Sequence, residues 1–218
     1  MGHRRDPRHA RPARGRRSIL IAAVAAGLTV LTLGAAHDVG HTPGSGHAHD
    51  ASHPGVTHRD IAEVRGAVAK YHTPERAEAA EWELVPGLDD CFDNPGVGGM
   101  GYHYIDTEQL EDPTLDPLRP EALVFVEGPK GQRRLGAVEY IVPAPLWLGL
   151  TEDDLDGLSP EELTEKAEAA DPPEVLGHEL HVLVPVPGLV VYGLHVWLFE
   201  RNPDGMFADW NPRVTCPS

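Results

Sequence analysis

The part of this 218-residue chain that reads as folded, residues 59–218, is short of nucleophiles. It holds two serines, Ser159 in a helix-start context and Ser218 at the terminus. No G-x-S-x-G elbow is present, so the strained strand-to-helix turn that exposes a catalytic seryl oxygen has no sequence to build it. Lys70, Lys130 and Lys166 are the only lysines, and all stand in polar surroundings. Cys91 and Cys216 are the only cysteines, which allows one intramolecular pairing. Such a bridge would close a long loop, worth about 4–5 kcal/mol at most in the chain-entropy account. A free catalytic thiol or a metal-ligating pair is the competing reading. With the pair joined, acyl transfer by Ser or Cys is nearly excluded, and chemistry falls to His, carboxylates, Tyr or a bound metal.

Basic residues are also scarce once the first segment is set aside. Seven of the 18 Lys and Arg, but only Asp6 of the 34 acidic residues, lie in residues 1–36. Seven arginines from Arg4 to Arg17 precede the uncharged run SILIAAVAAGLTVLTLG, which ends on the small residues Gly34, Ala35 and Ala36. A basic start, an apolar middle and a small-residue end predict a secretory signal peptide. The apolar run is short for a span of about 20 residues, so no stable membrane span is expected after cleavage; an uncleaved anchor is the alternative. Arg16-Arg17 before SIL resembles a twin-arginine signal, so export by the Sec or the twin-arginine route is expected. No Cys follows the apolar run, which argues against a lipoprotein. The remaining chain carries a net charge near −22. That field disfavours nucleic acid and anionic membrane surfaces as partners, and suits a solvated acidic surface and cations.

Residues 37–58 lack large apolar side chains and read as a disordered linker that cannot bury enough surface to offset chain entropy. The linker holds His37, His41, His47, His49, His53 and His58. Imidazoles on a flexible tether can gather around zinc, copper or nickel, as capture rather than catalysis. Compositional drift is the plainer account.

From Asp60, with Glu63 as capping partner, Ile61, Val64, Val68 and Tyr71 recur at helical spacing. Thr73-Pro74 restarts the helix, which continues past Ala77, Ala80 and Trp82 to Pro86-Gly87. Cys91 to Gly101 reads as a Gly-rich loop, and YHYID as a short strand. EALVFVEG and RRLGAVEYIV form a hairpin around PKGQ, while HELHVLVP and GLVVYGLHVWLFE flank Pro187-Gly188. Ser159-Pro160-Glu161-Glu162 is a strong helix start. The tail from Arg201 is loop, tied down by Cys216. One α+β domain follows: an N-terminal helical segment packed on a mainly antiparallel sheet, with one disulfide.

Two familiar motifs fail on context. Gly96, Gly98 and Gly101 match G-x-G-x-x-G, but the dinucleotide fingerprint needs a strand before it and a helix after it. Glu152, Asp154, Asp156 and Gly157 begin like a Ca²⁺ loop, yet the closing bidentate Glu is replaced by Leu163.

Four histidines near strands remain: His103, His178, His181 and His195. Strand alternation puts His195 with Val191, Gly193 and Trp197, opposite Tyr192, Leu194 and Val196. Both faces are apolar, which predicts an interior strand. Glu139 stands in an equally apolar strand, and a buried carboxylate costs several kcal/mol unless paired or coordinated. His103, Glu139 and His195 are therefore the candidate metal ligands, with His178 or His181 as a fourth, for zinc or copper. His178 and His181 are three apart, so at most one joins unless that segment is helical. A structural His–Glu hydrogen bond is the competing account.

The blocks GGMGYHY, GAVEYIVP, LHVW, NPDGMF and WNP, followed by Cys216, resemble those of a group of uncharacterised exported bacterial proteins. That resemblance extends in short blocks from Asp60 onward; it implies an exported single domain and names no activity. The expected function is an exported protein binding a transition metal or small ligand through His and Glu on the sheet. A metal-dependent or His/Glu acid–base enzyme and a structural or interaction domain of the cell envelope are the alternatives.

Overall fold

Thr57 opens the folded chain as an N-cap. Its hydroxyl accepts the Asp60 N–H while Asp60 returns to the Thr57 N–H, a reciprocal cap that starts α1, His58–Val68. The computed structural model describes residues 56–217, so the expected signal peptide, its twin-arginine pair and the linker imidazoles His37, His41, His47, His49 and His53 lie outside the described residues. His58 belongs to α1 rather than to the linker, and the cap sits three residues earlier than the Asp60–Glu63 spacing predicts. Asp60 is the inner partner of that cap rather than its start, and Glu63 lies further inside the helix and takes no part in it.

Four further α-helices accompany the strands. The second, α2, Pro74–Glu78, starts at Thr73-Pro74 as expected but stops well before Pro86, since Glu81 takes a positive φ of 73°. Five strands follow: β1 Glu83–Leu84, β2 Phe92–Asn94, β3 Gly98–Ile105, β4 Ala122–Glu127 and β5 Arg133–Pro143. After them come α3 Ala144–Trp147, α4 Glu152–Leu155 and α5 Pro160–Ala169. The acids read as a failed Ca²⁺ loop serve α4 instead, where Thr151 and Asp154 cap each other. Ser159 caps α5 with Glu162, as its spacing predicts. The chain closes with β6 Glu174–Val175, β7 His178–Glu179, β8 His181–Val186 and β9 Leu189–Trp197.

The main sheet runs β1-β3-β4-β5-β9-β8, with β2 added beside β3 and every pairing antiparallel. This is the α+β fold expected from an N-terminal helical segment followed by mostly hairpin-linked strands. HELHVLVP is not one strand. His178 belongs to β7, which pairs only with β6, and His181 starts β8 in the main sheet. The supposed Gly-rich loop is strand as well. Gly98 and Gly99 belong to β3, where they pair with Asn94 and Asp93 of β2, and the C-terminal tail runs against them as well, Gly99 exchanging backbone hydrogen bonds with Asn211 at 3.1 and 3.0 Å. A side chain at Gly98 would collide with the Asn211 and Pro212 backbone.

Alternation splits the sheet into two buried faces. Leu123, Phe125, Val138, Tyr140, Tyr192 and Leu194 face the helices, where they meet Ile61, Val64 and Leu163 in the largest apolar core. The opposite face carries two smaller apolar clusters, one around Val124, Ala137, Trp197 and Val214, the other around Ile105, Ala122, Ile141 and Val191. The tail covers this second face and is anchored by the Cys91–Cys216 disulfide, with Cα atoms 5.6 Å apart. That bridge removes the reading of either cysteine as a free thiol or metal ligand. Among the described residues, no helix is long and apolar enough to cross a membrane.

Candidate functional site

Between the two small apolar clusters of the tail-covered face lies a buried polar group. Glu139 on β5 and His195 on β9 are direct cross-strand partners, so their side chains emerge on the same face. His103 on β3 reaches Glu139 across β4, whose residues at this level are Val124 beside His103 and Ala122 beside Glu139. Those short side chains leave room for the contact: His103 Nε2 stands 3.1 Å from Glu139 Oε2. The His103 and His195 rings have centroids 6.0 Å apart. Burial is nearly complete, with His103 and Glu139 each 5% exposed and His195 0%.

The walls are specific too. Trp197 sets its ring at 70° to His195, centroids 4.5 Å apart, and donates its indole N–H to Ala208 O at 2.7 Å. Phe92 meets His103 edge-on at 5.2 Å. Gly193 supplies space, since a Cβ there would stand 3.0 Å from Glu139 Oε1.

His181 is in register with Gly193, which places it on the same face as His195, toward the solvent edge of the cluster. Its Nε2 lies 3.0 Å from Asp209 Oδ2 in the tail. That hydrogen bond raises the His181 pKa against the opposing effect of burial, with the charges of Asp209 and Glu139 adding to the rise. Burial alone would raise Glu139's pKa, but His103, then His195 and His181, outweigh it and hold the carboxyl below its ordinary range. Burial depresses His195 to about 4, against the pull of Glu139 and Asp209, so its imidazole is neutral at neutral pH.

A neutral imidazole has one N–H to donate and one nitrogen to accept with. In His195 neither buried nitrogen has a hydrogen-bond partner, and His103 Nδ1 and Asp209 Oδ1 lack one as well. Each orphaned buried group costs about 1–3 kcal/mol, so four in one place call for an explanation.

His103, Glu139 and His195 thus converge, and His181 stands at their edge. His178 does not join them: its ring stacks on Phe207, centroids 3.9 Å apart, beside the separate two-stranded sheet. The five-residue ligand set read from the sequence needs correcting in a second respect. Among the described residues, no three His, Cys, Asp or Glu side chains are placed to hold a metal ion, and Glu139 is engaged by His103 Nε2. Asp209 was missed altogether. It sits in a turn-rich tail with no periodicity, and its only signal is its place between NPDGMF and WNP. Those two blocks, with GGMGYHY, GAVEYIVP and LHVW, supply this face and its cover. A cavity of about 640 Å³ lined by His72, Tyr104, Gln132 and Arg133 shares no residue with the cluster. No family model, curated protein or solved structure matches the chain.

Proposed function

We propose that the protein is an exported binding domain that takes a divalent transition metal, zinc or copper, at the His103–Glu139–His195 cluster. The observation that carries this reading is the set of three buried ring nitrogens with no partner, His103 Nδ1 and both nitrogens of His195. Glu139 then serves as the carboxylate behind a ligand: it engages His103 through Nε2 and leaves Nδ1 to coordinate, the usual division around metal-bound imidazoles. Imidazole donors suit zinc and copper rather than magnesium or calcium. The ion would draw the two rings together, since no three-ligand set is preformed among the described residues.

The closed surroundings of the cluster favour holding an ion over turning over a substrate, which disfavours acid–base catalysis by these residues. Export is supported by the basic and apolar segment of residues 1–36, by the disulfide and by the resemblance to exported bacterial proteins.

The test is the metal content of the purified full chain carrying Ala in place of His37, His41, His47, His49 and His53. About one equivalent of zinc or copper should remain, and His103→Ala or His195→Ala should remove it. Absence of stoichiometric metal before those last changes would refute the reading. A second reading, a structural or interaction domain of the envelope, is favoured by the burial of the cluster. In that case one ordered water meets the orphaned nitrogens, and added metal leaves the thermal midpoint unmoved.

A further inference from the structure

Away from the histidine cluster, the cavity of about 640 Å³ opens between the start of α2 and the hairpin that joins β4 to β5. His72, Pro74 and Glu75 line one side, Gln132 and Arg133 the other, and Tyr104 of β3 borders it as well. A backbone hydrogen bond from Leu135 N to His72 O ties the two sides together at 3.4 Å. The volume falls within the span of about 300–1,000 Å³ usual for small-molecule sites.

Arg133 is held in advance on one wall. Its Cζ stands 3.4 Å from the Tyr102 ring centroid, and its Nη1 donates to the Tyr104 hydroxyl at 3.2 Å. Tyr102 donates in turn to Glu127 Oε1 at 3.1 Å, and both tyrosines are buried, so the guanidinium rests on a rigid base. Among the described residues its only ion-pair contact is that same Glu127 Oε1, 4.0 Å from Nε and outside hydrogen-bond reach. No carboxylate takes the guanidinium fork, and most of its N–H donors have no protein partner among the described residues. A fixed cation with free donors loses little entropy on meeting an anion. Gln132 adds a second donor to this wall: its Oε1 accepts the Lys130 N–H at 3.1 Å, which leaves the side-chain NH₂ without a partner among the described residues.

Charge selects the kind of anion. The chain is strongly acidic, and Glu75 and Glu127 flank the site. A dianionic phosphate or a polycarboxylate would be repelled by both. A single carboxylate needs one cation, and its two oxygens match the guanidinium fork. We propose that this cavity binds a small organic monocarboxylate, with its oxygens on Arg133 and the Gln132 amide and its apolar body against Pro74. The site shares no residue with the histidine cluster, so it does not rest on the metal reading above.

The test is a titration of the metal-free, ¹⁵N-labelled full chain, followed by nuclear magnetic resonance, with benzoate and hexanoate as monocarboxylates. Benzamide is the uncharged counterpart of benzoate, and inorganic phosphate is the dianion. The expected result is saturable shifts with either carboxylate, centred on the Gln132 side-chain NH₂ and the Arg133 Nε–H. Benzamide and phosphate should bind at least about tenfold more weakly. Arg133→Lys keeps the charge but loses the fork, and should weaken benzoate by about tenfold. Gln132→Ala lies in the exposed hairpin, is expected to fold, and should weaken benzoate several-fold. Absence of saturable shifts with both carboxylates overturns the proposal, as does equal binding of benzamide or phosphate. Benzoate affinity unchanged in Arg133→Lys overturns it too; if that variant does not fold, unchanged affinity in Gln132→Ala does so alone.

Discussion

On the helix-covered face of the sheet, buried polar atoms find partners at once: Tyr140 donates its hydroxyl to Pro117 O at 2.6 Å and Tyr192 to Ala167 O at 2.7 Å. Among the described residues, Trp82 Nε1 alone in that core is without one, whereas the tail-covered face has four such atoms, on His103, His195 and Asp209. The same strands make both faces, so the difference is not one of propensity. One face is packed by helices whose apolar stripes match it. The other is closed by an irregular tail, and it retains polar groups that apolar residues could have replaced. Burying unpaired imidazoles lowers stability, so the second face bears a cost that a purely structural cover would not require.

Breaking each face should show the contrast. Phe125→Ala, on the helix-covered face and fully buried, should cost about 3–5 kcal/mol in denaturant unfolding. Val124→Ala, one residue along and on the other face, should cost clearly less. Replacing both cysteines with Ser should cost about 2–5 kcal/mol. The loss should be uneven: in hydrogen exchange, the Gly99, Trp197 and Asn211 amides should lose protection before those of Leu123 and Tyr140. Uniform loss would mean that the tail and the sheet are one cooperative unit.

Acidity separates the faces further. His195 is held at about 4 against an ordinary 6.5, so its contribution is present above pH 6.5 and lost as the pH falls through 4, by about 3 kcal/mol as an upper figure. The depressed pKa of Glu139 adds to the loss at the acid end. Glu121 behaves in the opposite sense. Burial raises it to about 7 from 4.5, while its Oε2 accepts the Ile141 N–H at 3.0 Å. Its contribution is present below pH 4.5 and lost as the pH rises through 7. Unfolding measured from pH 3 to 9 should give a maximum between these limits. His195→Leu should flatten the acid side, and Glu121→Gln the basic side.

The smallest effects are the sharpest comparison. Tyr192→Phe removes a satisfied hydrogen bond and should destabilise by about 1 kcal/mol, leaving Ala167 O short of a donor. His195→Leu removes two unsatisfied nitrogens and should be neutral or stabilising by about 1–2 kcal/mol in metal-free protein. Equal losses in both would show that His195 is satisfied in solution.

Several elements were legible in the chain alone. The Ser159-Pro160-Glu161-Glu162 cap, the PKGQ hairpin and the two-sided burial of the β9 sequence depend on neighbours in sequence, and local rules read them correctly. The strand status of Gly98 and Gly99 was not legible, because glycine carries no strand signal and the pairing with Asp93 and Asn94 is backed by a distant contact from Asn211. Separating His178 from His181 needed the fold, since Leu180 divides two sheets that the apolar pattern runs together.

By itself the sequence determined the α+β class, the one available disulfide pairing, and the need of Glu139 for a partner. Period and capping are short-range properties, and two cysteines permit a single pairing. The tertiary structure alone decided that the partner is His103, reaching over the small residues of β4, and that His195 stands opposite with nothing to bond. It alone brought Asp209 to the edge of the cluster. Those are matters of strand order and of where an irregular tail comes to rest, and both are set by long-range contacts that no local pattern encodes.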